Sequence, residues 1–315
     1  MKIEELEKNI KDNIFTTPNY PELEIYVLLH DLSNPETKYL SSENEVRDDI
    51  KKEIENNISS FFIKYKDELN GALLEQEDLV KDKRGIYRIK EDKQFAPFKT
   101  IIAKLKSDNK LKLEEADKIK GYLFKFINRN KSLYVFSKVH EISMYNIKKN
   151  IIYAEEDNYF KKFNKKLVRI ETHVDIIFFE ENILTDKIKY LEKDFCYENH
   201  EKKIANSMMS EWKKRQLIEY DDKNLAYWIS KHPKYIKKLL AIKNSVIFKM
   251  NKDDLIKRIS EDTFYKKEIS IQDKKIIIKY ETKFKSFLTM MNDERVYSSF
   301  SSTTYLSDDK YVQGN

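Results

Sequence analysis

Between residues 121 and 179 the chain repeats one pattern: short runs rich in aromatic and β-branched residues, GYLFKFI at 121–127, SLYVF at 132–136, LVRIE at 167–171 and VDIIFF at 174–179. Runs this short have the length of strands, and the Asn- and Lys-rich turns between them fold the chain back on itself, so the pattern predicts an antiparallel sheet. Upstream, IYVLL at 25–29 follows Pro18 and Pro21 and reads as a buried strand. Ser42 and Glu45 have capping-box spacing, and Val46, Ile50, Ile54, Ile58 and Phe61/Phe62 recur at three and four residues, which predicts a helix. A strand at 85–89 and a helix over 95–106, with Pro97 in its first turn, complete an N-terminal α+β domain. The polar SDNK at 107–110 places the boundary there, giving domains of 1–107 and 108–315.

From Tyr197 onward helical spacing takes over, with Ile204, Met208 and Trp212 four apart and Tyr235, Leu239 and Ile242 behind Pro233. Strand signals return at 268–271 and 275–279, and a last helix covers 284–291. Strands grouped before helices predict α+β rather than alternating α/β: an N-terminal α+β unit, then a larger domain with an antiparallel sheet and a C-terminal group of helices. No internal repeat is visible.

Apolar residues at 40% and aromatics at 13% supply a core, so the 36% charged residues mark a heavily solvated surface, not disorder. The longest uncharged stretch, 296–307, is rich in Ser and Thr, and the start MKIEE is acidic within five residues. Neither a membrane span nor a signal peptide is expected, which predicts a cytoplasmic protein. The single Cys196 rules out an internal disulfide, and with five scattered histidines a Cys-rich zinc site is not expected. Between Phe195 and Tyr197 it reads as a small buried hydrophobe rather than a nucleophile. The four glycines lie more than ten residues apart, so neither a Walker loop nor a dinucleotide turn can form. No cofactor, metal or catalytic residue is expected.

Charge is uneven. Residues 1–100 hold 16 Lys/Arg against 22 Asp/Glu, net −6; of the chain's 60 and 54, the remaining 44 and 32 give residues 101–315 a net of +12. A basic second part points to a polyanion, although only eight arginines among the sixty also fit the codon bias of an AT-rich gene. The most basic window, 201–250, holds the DNA-contact candidates Lys202, Lys203, Lys213, Lys214, Arg215, Lys231, Lys234, Lys237 and Lys238. Lys203 and Lys214, eleven apart, share a helix face beside Ile204, Met208 and Trp212. Lys234, Lys237 and Lys238 follow Pro233 into the first turns of a helix, where backbone amides favour a phosphate.

A second cluster, Lys161, Lys162, Lys165 and Lys166, is interleaved with Tyr159, Phe160 and Phe163; it suits phosphate contact with stacking, or is a solvated loop with its aromatics in the core. Tyr227, Trp228 and Tyr235 read as core. Asp273, Glu281 and Lys283 have the rough spacing of a metal-dependent nuclease, but an acid two residues before a lysine recurs by chance among 54 acids and 52 lysines.

The segments IKGYLF (119–124), VDIIFFEENIL (174–184), YLEKDF (190–195) leading into a helix over 198–218, and FLTMMND (287–293) stand in the order and spacing of one family. Over about residues 108–300 the chain resembles the KwaB family of the Kiwa anti-phage system. That family has no settled catalytic motif, so the resemblance supplies no active-site residue. It implies a homodimer that binds DNA to suppress phage propagation, beside KwaA, a small multi-helix membrane protein through which alone it would reach the membrane. The expected function is therefore a sequence-nonspecific DNA-binding effector. The alternatives are a metal-dependent nuclease, or a non-catalytic subunit binding an acidic partner or a membrane surface.

Overall fold

In the computed structural model the chain is described over residues 2–15, 21–75, 84–93, 95–139, 144–145, 153–156, 159–162, 167–168, 170–242, 245–292, 294–298 and 303–306. It divides into two compact units, Met1–Leu73 with Arg84–Tyr197, and Leu74–Lys83 with Glu198–Asn315.

The first unit is built on β1 (Glu22–Leu29), β2 (Glu36–Tyr39), β3 (Tyr87–Lys90), β4 (Ile119–Asn128) and β5 (Lys131–Lys138). Two short pairs follow, β6 (Met144–Tyr145) with β9 (Leu167–Val168) and β7 (Tyr153–Glu156) with β8 (Tyr159–Lys162). Strands β10 (Ile176–Phe179) and β11 (Asn182–Thr185) then complete a seven-stranded sheet, ordered β2-β1-β4-β5-β10-β11-β3, in which every neighbouring pair is antiparallel.

Side chains alternate across a strand, so Ile25, Phe124, Val135, Ile177 and Leu184 line up on one face. There they join a core with Ile3, Leu6 and Ile10 of α1 (Ile3–Ile10) and Ile54, Ile58 and Phe62 of α2 (Asn44–Ile63). The opposite face is covered as well. Phe98 of α3 (Pro97–Ile102) stacks on Phe178 at 5.6 Å, and Phe195, which follows α4 (Ile188–Asp194), meets Phe98 at 5.1 Å and Phe136 at 5.3 Å. With helices on both faces, the central strands are buried along most of their length, with Glu22, Lys120 and Lys131 exposed near strand ends, which is why they read as nearly continuous apolar runs.

The division expected near residue 107 is not where the chain divides. β1 pairs with β4 along nearly its whole length, from Glu22 opposite Ile127 to Leu29 opposite Ile119, so the N-terminal residues complete the sheet of the segment expected to follow. Two details of α2 also differ from expectation. The helix starts at Asn44 with Glu43 at its cap, and Arg47 donates from Nε and Nη2 to the Ser42 carbonyl at 3.1 and 2.8 Å, so Ser42 does not cap it. Val46 points to solvent. α3 is shorter than its pattern, and the buried Glu91 carboxylate accepts from the Phe98 amide at 2.7 Å in place of a side-chain cap of its own.

Gly121 is required by packing. A Cβ there would collide with the ring of Phe136, which lies diagonally across the β4–β5 pair. We expect Gly121→Ala to lower stability by about 1–3 kcal/mol, as forced repacking of a dense core does. An unchanged urea midpoint would show that the Phe136 ring moves aside freely.

The second unit contains α5 (Tyr197–Lys214) from Glu198 onward, β12 (Ile218–Tyr220), α6 (Asp222–Lys231), α7 (Pro233–Ile242), α8 (Val246–Lys249), α9 (Lys252–Glu261), α10 (Tyr265–Glu268), β13 (Ser270–Gln272), β14 (Lys275–Ile278) and α11 (Glu281–Met291). A final hairpin pairs β15 (Arg295–Ser298) with β16 (Thr303–Leu306). β14 is the middle strand of three, parallel to β12 and antiparallel to β13. Trp212 of α5 packs edge-on against Phe287 of α11 at 5.3 Å, within a core that includes Met209, Leu239, Phe284 and Met291. The turns use short polar caps: Asp221 accepts from the Asn224 amide at 2.8 Å and Asn251 from the Asp254 amide at 2.9 Å. Together the units make an α+β protein, as the grouping of strands and helices predicts.

Candidate nucleic-acid interface

The basic window falls on α5, α6 and α7. Along α5 the apolar stripe packs inward, with Ala205, Met208, Met209 and Trp212 buried, while Lys203 and Lys214 are exposed. Neither forms an ion pair among the described residues. Three other cations on or beside this helix are held locally. Lys202 pairs with Glu198 at 2.9 Å, Arg215 with Glu211, and Lys213 with Asp222 at 2.8 Å while lying 4.7 Å above the Tyr220 ring. Its hydrogen bond to Asp222 holds Lys213 above the usual lysine value.

α6 presents a cleaner surface. Leu225, Trp228 and Ile229 face the core, which turns Lys223, Tyr227 and Lys231 outward at i, i+4 and i+8, one above the other. Tyr227 is 59% exposed, against the expectation that it belongs to the core, and the Lys231 ammonium lies 5.8 Å over its ring. Trp228 and Tyr235 are buried as expected. The missed signal was legible: counted at four-residue steps from Leu225 and Trp228, Tyr227 falls with the lysines and not with the core.

At the end of α6 the chain turns directly into α7 at Pro233, placing exposed Lys234 in its first turn. The other two lysines expected there are drawn away from solvent. Lys238 lies 2.7 Å from both carboxylate oxygens of Glu294, in a mostly buried pair, and Lys237 is half-buried. Lys238 thus has a structural partner and leaves the candidate interface. Of the second cluster, Lys161 and Lys162 end β8, and Lys165 and Lys166 lie outside the described residues.

The nuclease constellation is not assembled. Asp273 and Lys274, both with positive φ (51° and 56°), form the two-residue turn of the β13–β14 hairpin. Glu281 accepts from Tyr235 Oη at 3.0 Å and pairs with His232 Nε2 at 2.9 Å, and Lys283 donates to the Glu268 carbonyl at 2.7 Å. Each group has a separate structural duty. Among the described residues, no three His, Cys, Asp or Glu side chains are grouped to hold a metal ion.

Cys196 is exposed, not buried: it takes φ 58° in the turn between α4 and α5, which sends Phe195 and Tyr197 inward and the thiol outward. In the first unit, no sequence signal announced the network on Asp175. This fully buried carboxylate accepts from His173 Nε2 and the Lys138 amide, both at 2.7 Å, and from Lys187 Nζ. Burial pushes its pKa up, but the hydrogen bonds from His173, Lys187 and the Lys138 amide outweigh it and hold the carboxyl below the usual range.

Compared with known families, residues 116–301 match the model of the Kiwa protein KwaB-like family. The chain belongs to that family. Membership makes it a component of the Kiwa anti-phage system, and the matched span contains β4, β5, β10, β11 and all of α5 to α11. No curated protein and no solved structure matches the chain. Among the described residues, no helix is long and apolar enough to cross a membrane.

Proposed function

We propose that this KwaB-like protein acts in Kiwa defence by binding DNA without sequence preference, through phosphate contacts from Lys223, Lys231 and Lys234, extended along α5 by Lys203 and Lys214. The observation that carries the reading is the outward row Lys223–Tyr227–Lys231 on α6, continued by Lys234 at the start of α7. Lysine ammonium groups meet phosphates as point charges, and phosphate contacts carry no sequence information, so affinity without sequence choice follows. In this reading KwaA recruits a homodimer to the membrane, and co-purification with KwaA from membranes tests that recruitment.

The test of binding is a gel shift on unrelated duplexes, with and without Mg²⁺, across a salt series. A shift without cleavage, falling steeply with salt, is the expected result, because each neutralised phosphate releases counterions. Asp273→Ala and Glu281→Ala should leave binding and defence intact, with Glu281→Ala costing about 1 kcal/mol for its lost hydrogen bonds. Mg²⁺-dependent cutting that these variants abolish would revive the nuclease. No shift at low salt would favour the acidic-partner or membrane-surface subunit.

A further inference from the structure

The chain has 20 tyrosines and 18 phenylalanines, and among the described residues only two aromatic side chains are strongly exposed, Tyr227 at 59% and Tyr280 at 67%. Both lie near the junction of α6 and α11 in the second unit, Tyr227 on the outward face of α6. Trp228, beside Tyr227, stacks on Phe284 of α11 at 5.9 Å, and His232, just past α6, meets Glu281 at 2.9 Å. As the pairing passes from 228 to 232 it moves from 284 back to 281. The end of α6 and the start of α11 therefore lie together, bringing Tyr280, the residue before Glu281, to the end of the helix that displays Tyr227.

Exposing an aromatic ring has a cost that burial in the adjacent core would remove, and at both positions the neighbouring aromatics, Trp228 and Phe284, are buried. Lysines surround the pair: Lys223 and Lys231 one turn to either side of Tyr227, Lys234 at the start of α7, and exposed Lys279 beside Tyr280. Lys223 and Lys231 are eight residues, about 12 Å, apart along the axis, enough to meet phosphates on either side of a base lying on Tyr227. A cation on one ring face, where Lys231 lies, and a base on the other are compatible. Duplex DNA cannot use such rings, because its bases are already stacked inside. Unpaired bases can.

Accepting the DNA-binding reading, we infer that the α6–α11 junction is a stacking platform for single-stranded DNA, with Tyr227 and Tyr280 as its rings and Lys223, Lys231, Lys234 and Lys279 as its phosphate contacts. Single strands, gaps and frayed ends are then the preferred substrate class. The test uses the full chain and fluorescein-labelled oligothymidylate, with a duplex of equal length, in fluorescence anisotropy titrations at one salt concentration. The single strand should bind more tightly than the duplex. Tyr227→Ala and Tyr280→Ala should each weaken it about fivefold to a hundredfold, the range of one lost base stack, with less than about a twofold effect on the duplex, and Tyr→Phe should retain binding. Both side chains face solvent, so the variants should keep the parent's thermal midpoint. Equal affinity for both forms, indifferent to both alanine variants, would overturn the platform and leave DNA binding standing. Failure to bind either DNA at low salt would overturn both.

Discussion

Asp175→Ala should lower the stability of the first unit by about 3 kcal/mol, the largest loss expected from any single polar side chain described above. The carboxylate is wholly buried where β10 begins and gathers three donors, His173 Nε2, Lys187 Nζ and the Lys138 amide. Removing one member of a buried charged network costs about 3–5 kcal/mol, because the remaining members lose their partner inside the protein. His173 and Lys187 are partly exposed and can turn toward water, which sets the expectation at the lower end. Asp175→Asn keeps an acceptor and should cost less.

Acid provides a second reading of the same network. The folded-state pKa of Asp175 is lowered from 3.8, so its contribution is complete above that value and is lost as pH falls through the folded value. Glu7, lowered from 4.5 by Lys11 and Lys66 against the opposing effect of burial, acts with the same sign. Glu91 acts with the opposite sign: burial raises its pKa, so its contribution is complete below 4.5 and lost as pH rises. The parent should therefore lose stability below about pH 4 more steeply than Asp175→Ala does. Urea midpoints measured from pH 7 to pH 3 test both claims, and coincident curves for the two proteins would remove Asp175 from the account.

Five strands of the sheet, at 25–29, 85–89, 121–127, 132–136 and 174–179, were legible because they are short, mostly apolar and bounded by turn residues. The polar ETKY of β2 and NILT of β11 gave no such signal, and LVRIE at 167–171 contributes only β9, which pairs outside that sheet. The second unit's helices were legible because their four-residue spacing holds over several turns. The domain boundary was not. Nothing in IYVLL at 25–29 announces that its partner is GYLFKFI at 121–127, since pairing across some ninety residues leaves no local trace. Exposure of the candidate lysines was legible where it follows from helical phase: Lys203 and Lys214 are exposed, as their phase against Trp212 requires. Lys238 illustrates the limit. Its phase was right, but Glu294, which occupies it, lies more than fifty residues away. His173 stands two residues before Asp175, but the Lys138 amide at the end of β5 and Lys187 after β11 come from 37 and 12 residues away, a spacing with no motif to announce it.

The triple variant Lys223→Glu, Lys231→Glu, Lys234→Glu should weaken binding to any DNA at least tenfold at moderate salt. Each reversal deletes one phosphate contact and adds one repulsion, so the slope of log affinity against log salt should shrink by up to about 3. The set avoids Lys238, because a glutamate at that position would face Glu294 and destabilise the fold, mixing two effects. Folding should survive the chosen three. The replacements at positions 234 and 223 fall in the first turns of α7 and α6, where a negative charge gains about 0.3–1 kcal/mol from the helix dipole. The replacement at position 231 loses a similar amount in the last turn of α6, together with the Lys231 contact to the Tyr227 ring. These terms nearly cancel, so the thermal midpoint should remain near the parent's while DNA affinity collapses. A folded triple variant with unchanged affinity would move the contact to Lys203 and Lys214 of α5 or to Lys161, Lys162, Lys165 and Lys166.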